Sequence, residues 1–267
     1  MSTETADLPK KQLPKSNKFE VKIAQNHYEI RQAQALRYQI FAKEMGAKLH
    51  STVPNHDVDV YDEHCYHLLV KEKATDQLIG YTRILTSDHA TATSGFYSES
   101  EFDISPILSL PGRFMEIGRT CIHPNYRNGA TISLLWSGVA RFLVENDFDY
   151  LMGCASIPMA ENHYNSVFSK LHSHYFTPTH LRAKPKVPLI KEDNHDNLPA
   201  IALPPLLKAY LRLGAKICGE ACWDNEFKVA DVFILLERHK LDKRYSKHFV
   251  QRVQQPAQSQ SLYEAAA

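Results

Sequence analysis

Residues 114–123, F-M-E-I-G-R-T-C-I-H, set an acid and a base inside an apolar run of strand length, and no other stretch limits the fold as much. Ionised groups are rarely buried in a strand without a partner or a task, so Glu116 and Arg119 mark a site. Directly after them, Pro124, Asn125, Tyr126, Arg127, Asn128, Gly129 and Ala130 form a polar turn. Ile132, Leu135, Trp136, Val139 and Leu143 then recur at helical spacing. A strand, a basic turn and a helix N-terminus together form an anion-binding unit, because the first amides of the helix lack intrahelical partners.

Around this unit the chain is long enough, at 267 residues with 43% hydrophobic, to bury one substantial core. A formal net charge of +1 excludes a general nucleic-acid binder, which carries a large basic excess. The five cysteines, Cys65, Cys121, Cys154, Cys218 and Cys222, sit mostly in apolar runs and read as reduced thiols. Lys10, Lys11, Lys15 and Lys18 are followed by no apolar segment, so neither a secretory leader nor a membrane span is expected. The expected location is cytoplasmic, with room for peripheral contact at the inner face of the membrane.

Residues 1–18 and 251–267 read as disordered tails around one α/β domain spanning 19–250. Within that domain, strands are predicted near 19–24, 66–72, 78–85, 114–122, 150–156 and 229–236. Helices are predicted from Ile30 through Ile40 toward Gly46, over about 130–146, near 160–172 and around 205–212. His64, Cys65 and His67, like His163, His172, His174 and His180, lack the paired spacing of a four-ligand site, and no metal is expected.

The element order resembles the GNAT acyltransferase superfamily. More specifically, residues 28–250 resemble the ornithine-lipid acyltransferases, through L-R-Y-Q-I-F-A-K-E-M-G-A at 36–47, D-E-H-C-Y-H-L-L-V at 62–70, G-F-Y-S-E-S-E-F-D at 95–103 and M-E-I-G-R-T-C-I-H-P at 115–124. G-C-A-S at 153–156 and L-P-P-L-L-K-A-Y-L-R-L-G-A at 203–215 fit the same family. The resemblance implies a mixed, mostly antiparallel sheet that splays between its fourth and fifth strands to admit a pantetheine arm. It also implies acyl carrier protein as donor of a (3-hydroxy) fatty acyl group, with the α-amine of ornithine as acceptor. A weaker likeness to acyl-homoserine lactone synthases and N-acyl amino acid synthases matches at Arg37, Phe41, Asp59, Asp62, Arg83, Glu116 and Arg119. Gly118 stands where the lactone synthases carry serine or threonine, which keeps the acceptor open between these families. A catalytically silent carrier-protein or lipid-binding module on the same fold is the remaining alternative.

On that frame Glu116, beside the implied splay, is the expected general base. An α-amine with a reference pKa of about 8 is mostly protonated at neutral pH and must lose a proton before it attacks. Its structural alternative is an internal counter-ion for Arg119 or Arg83. Regular pleating would turn Glu116 and Gly118 away from Arg119, so a bulge is predicted at Gly118, freeing an N–H for the thioester oxyanion. Arg83, Arg37 or Arg119 are candidates to grip the acceptor carboxylate. Asp59 or Asp62 are candidates to meet its ammonium or to steady an arginine, and Phe41 lies one turn beyond Arg37. For the donor, Ile122, Arg127, Asn128, Gly129, Ala130, Cys154 and Ser156 are the expected contacts. An acidic carrier protein calls for a basic face, with candidates Arg127, Arg141, Lys170, Arg182, Lys184, Lys186, Lys208 and Arg212. Cys121 or Cys154 could in principle take the acyl group covalently, and direct attack is preferred.

Overall fold

A computed structural model describes residues 18–159, 163–168, 171, 173–189 and 202–241. The C-terminal tail, the N-terminal tail up to residue 17, Lys170 and His172 lie outside the described residues. Strands β1 (Phe19–Ile23), β2 (Tyr66–Glu72), β3 (Gln77–Thr86) and β4 (Phe114–Ile122) pair in sequence order, each antiparallel to the next. The fifth strand, β5 (Tyr150–Pro158), joins β4 in parallel over only three residue pairs, of which the last is Glu116 opposite Met152. Beyond that pair the two strands part. The sheet resumes antiparallel on the far side of β5, where β6 (Lys216–Ile217) and β7 (Cys222–Asp224) flank opposite ends of β8 (Val229–Glu237), itself paired along β5. This is the GNAT-like α/β architecture implied by the sequence, with the parting between the fourth and fifth strands.

Alternation along the strands assigns the two faces of the sheet. In β2, Leu68 and Val70 pack with Leu135, Trp136, Val139 and Leu143 of helix α2 (Gly129–Glu145). Leu69, between them, packs with Ala33, Leu36 and Phe41 on the other face. Ala33 and Leu36 belong to α1 (His27–Tyr38), which starts at Asn26, whose side chain accepts from the Glu29 N–H at 3.0 Å. Each large aliphatic buried this way contributes about 1.5–3 kcal/mol. Instead of ending at Tyr38, the helix widens into a π-helical segment, Gln39–Glu44, which turns Ile40 and Phe41 toward the interior at the open side of the sheet. Helices α3 (His163–Phe168) and α4 (Pro205–Leu213) accompany the second half of the sheet, α4 ending at Gly214 in the left-handed conformation, φ 97°.

Strands β6 and β7, and a separate ribbon pairing Phe102–Asp103 with Lys184–Pro185, are absent from the sequence reading because two or three residues carry no periodicity. No helix among the described residues is long and apolar enough to cross a membrane.

Candidate active site

Where β3 faces β4, the step from Tyr81 to Arg83 is matched by the longer step from Cys121 to Gly118. One extra residue therefore bulges from β4, and Arg119 absorbs it at φ 51°. The predicted irregularity is present, with the left-handed residue at Arg119 rather than Gly118. Its effect is to swing the Arg119 side chain onto the same cavity as Glu116, which a regular strand would forbid.

Behind that cavity lies a lattice of three arginines and three aspartates. Arg37, fully buried, donates through Nε to Asp57 at 2.8 Å and through Nη1 to Asp62 at 2.6 Å. Arg83 donates to Asp59 and, at 3.0 Å, to Asp62. Arg119 meets Asp57 at 3.2 Å and Asp59 at 3.4 Å. Burial alone would raise the Asp62 carboxyl, but Arg37 and Arg83 outweigh it and hold the group at about 2. His67 locks the loop further, one ring nitrogen against the Tyr81 hydroxyl at 2.7 Å and the other against the Asp62 carbonyl at 2.9 Å. Burial and the two arginines keep this imidazole below its usual pKa.

The cavity, about 290 Å³, opens between the parted strands. Among the sequence-predicted residues it is lined by Phe41, Arg83, Glu116, Gly118, Arg119, Ile122, Arg127, Cys154 and Ser156. Arg37, Asp59 and Asp62 do not line it. The aspartates steady guanidinium groups, the second of the two roles expected of them, and Arg37 has no exposed surface. Glu116 sits at the fork with both oxygens engaged, accepting from the Tyr97 N–H at 2.7 Å and the Ser98 N–H at 2.8 Å. Burial raises its pKa, and the Ser98 side chain, those two amides and the Arg83 charge only partly offset the shift.

Tyr97 and Phe227 escaped the sequence reading, because neither lies in a segment long enough to show periodicity. The Arg119 guanidinium stacks 5.2 Å from the Tyr97 ring centre and 5.1 Å from that of Phe227, and Phe41 meets Phe227 edge-on at 5.4 Å. Also missed was a group of three acids, Glu101, Asp224 and Asp231, whose carboxylate oxygens lie within 4.8 Å of one another on the same cavity. Burial and the charges of Asp231 and Asp224 push Glu101 up to about 9; burial and Asp224 push Asp231 up to about 7 against hydrogen bonds from Ser156 and Glu101. Asp231 did leave a signal: it interrupts V-A-D-V-F-I-L-L as Glu116 interrupts its own strand.

On the donor side, the Asn128 side chain accepts from the Ala130 N–H at 3.1 Å and the Thr131 N–H at 3.0 Å, capping α2. The expected anion cradle is therefore already filled by a side-chain oxygen, and Asn128, Gly129 and Ala130 do not line the cavity. Arg127 is likewise engaged, its guanidinium forked onto Glu44 at 2.5 and 2.7 Å. Burial pushes Cys121 up to about 12 and Cys154 well above an ordinary thiol, so neither is a thiolate at neutral pH.

A parted mixed sheet with a buried carboxylate at its fork defines a GNAT-fold acyltransferase. A family model described as "Acetyltransferase (GNAT) domain" matches residues 36–137. The L-ornithine N(alpha)-acyltransferase of Agrobacterium fabrum is 36% identical over 248 residues, covering 86% of this chain and 85% of that one. The enzyme of the same name from Rhodobacter capsulatus is 29% identical over 251 residues, covering 88% and 96%. Among solved structures, a CoA-dependent acyl-homoserine lactone synthase with SAM and isopentyl-CoA superposes with a TM-score of 0.51 at 14% identity over 90% of each chain, a likeness of fold. The chain belongs to the L-ornithine N(alpha)-acyltransferase family.

Proposed function

We propose that this protein transfers a fatty acyl group from the thioester of acyl carrier protein to the α-amine of ornithine, producing lyso-ornithine lipid. The observation that carries the reading is Glu116: a buried carboxylate with a raised pKa, at the last residue pair before the strands part, on the wall of the cavity they open. An acid poised above the ordinary range accepts a proton from an amine more readily than a surface carboxylate does. The proton passes to Glu116 directly or through one water. The amine nitrogen then attacks the thioester carbon, and the bulged backbone at Gly118 supplies an N–H for the oxyanion before the pantetheine thiolate leaves. Neutral cysteines favour direct attack over an acyl-cysteine route.

The capped helix N-terminus suits this donor. A pyrophosphate requires several free amides, two of which Asn128 occupies, whereas a carrier-protein arm brings one phosphodiester. Lys184, Lys186, Lys208 and Arg212 are exposed and available to an acidic carrier. Arg182 is less available, stacking on Phe176 and donating to the Thr177 carbonyl. A product that partitions into a bilayer suits action at the membrane surface.

The test is mass spectrometry of the product formed from acyl carrier protein thioester and ornithine by the purified protein. Glu116→Gln, which keeps the shape and removes the base, is expected to slow turnover by ~10²–10⁴-fold. Failure of the unaltered protein to make N-acyl ornithine would sink the reading, and undiminished turnover by Glu116→Gln would remove the base assignment.

A further inference from the structure

We infer that Glu101, Asp224 and Asp231 form the subsite that receives the side-chain ammonium of a dibasic acceptor and so select ornithine over uncharged amino acids. The inference rests on the acyl-transfer reading above. Asp59 and Asp62, which the sequence offered either for this task or for steadying an arginine, are committed to arginines.

Charge matching around the site isolates the three acids. Asp57, Asp59 and Asp62 each face guanidinium groups, and Glu44 holds Arg127. Glu101, Asp224 and Asp231 form no ion pair with any lysine or arginine among the described residues. Asp231 is only 3% exposed, yet its Oδ1 has no hydrogen-bond partner, and neither has Oε2 of Glu101. A buried acceptor left open on a cavity wall is costly unless a donor arrives from the cavity. Asp224 is oriented for the purpose, since its Oδ1 is fixed by the N–H groups of Glu226 and Phe227 at 2.7 and 3.1 Å.

Without substrate, Glu101 and Asp231 share a hydrogen bond and a proton; an arriving ammonium, with three donors and one positive charge, displaces that proton and leaves three carboxylates as its acceptors. The chain also ties the subsite to the chemistry. Glu101 follows the turn Tyr97–Ser100, whose amides clamp Glu116, so the same turn places the base and one wall of the cation site. Asp231 stands opposite Ser156 on β5, beyond the fork. An amino acid spanning the cavity thus has its α-amine at Glu116, its carboxylate at Arg119 and its side-chain terminus at the acids.

The test compares L-ornithine with L-norvaline, the same carbon skeleton without the terminal amine, using acyl carrier protein thioester as donor. Wild type is expected to favour ornithine by at least ~100-fold in kcat/KM, because norvaline would leave the acids unsatisfied. In Asp231→Asn and Glu101→Gln that ratio is expected to fall toward unity, with KM for ornithine rising more than kcat falls. Thermal protection without donor is the second measurement: ornithine should raise the melting temperature of wild type and norvaline should not. Equal use of both amino acids by wild type, or variants that keep the preference, overturns the subsite while leaving acyl transfer intact. If neither amino acid is acylated, the acyl-transfer reading has failed, and ornithine-specific thermal protection still decides the subsite. Ornithine turnover that requires magnesium or calcium and is abolished by EDTA overturns the ammonium assignment in favour of a metal ion.

Discussion

Arg37 shows how a residue can be indispensable to a site that it never touches. Its guanidinium is sealed from solvent and shares Asp57 with Arg119 and Asp62 with Arg83, so it sets the position of the loop against which both cavity arginines rest. A buried ion pair adds little net stability over an apolar substitute, whereas removing one partner leaves uncompensated charge. Arg37→Met is therefore expected to lower unfolding free energy by ~3–5 kcal/mol, read from urea denaturation, through the aspartates it abandons. A loss below ~1 kcal/mol would show that the lattice relaxes or admits water, and that Arg37 is not its keystone. Activity should fall with it, because Asp57 and Asp62, no longer fixed by Arg37, would hold Arg119 and Arg83 less firmly.

At the scale of elements, the opening between β4 and β5 has two local causes. The bulge at Arg119 bends β4 out of register, and Gly153, one residue past the last parallel pair on β5, lets the strands approach closely at the point of divergence. A Cβ at Gly153 would collide with the backbone carbonyl oxygen of Ile117, which no rotamer change can relieve. Gly153→Ala should thus wedge the fork, lowering stability by ~1–3 kcal/mol and activity together. The checks are the melting temperature and the rate of N-acyl ornithine formation; an unchanged value of both would mean that the fork is not held by this contact. Helix α2 uses a glycine differently: at Gly138 an added Cβ would press on Val21 and Leu68, so the small residue sets how near the helix lies to β1 and β2.

Across the whole molecule, the acidic cluster ties stability to pH with an unusual sign. Asp231 and Glu101 have folded pKa values above their unfolded ones, so the folded state binds more protons and loses stability as pH rises through about 7 and about 9. Burial and Asp224 raise both groups and Asp231 also raises Glu101; hydrogen bonds from Cys154 and Tyr97 oppose the shift of Glu101, and those from Ser156 and Glu101, with the charge of Arg119, oppose that of Asp231. Asp62 has the opposite sign, its contribution vanishing as pH falls from about 4 toward about 2. Asp231→Asn removes one member of the cluster. Without substrate, its melting temperature relative to wild type should climb between pH 5 and pH 9, by roughly 2–4 °C for each kcal/mol relieved. A difference that stays flat over that range would show that the cluster is already compensated.

The division between what was legible in the chain and what was not follows from the range of the forces involved. Periodicity and end signals are local, so the long strands, α1, α2 and α4 could be read from residues 19–237, and the acid within 114–122 announced the site. The bulge was legible too, because Glu116 and Arg119 cannot share a face of a regular strand. By contrast, the pairing of Arg37 with Asp57, the capture of Arg127 by Glu44, and the meeting of Glu101 with Asp224 and Asp231 join segments 20 to 130 residues apart. Nothing in the neighbourhood of any of these residues says which opposite charge will reach it. The sequence by itself determined the long strands and the carboxylate within one of them, the fork beside it being implied by the family resemblance; which charges are spent on one another and which are left facing the cavity was decided only when packing brought distant loops together, because desolvation and Coulomb energy depend on distance in space and not along the chain.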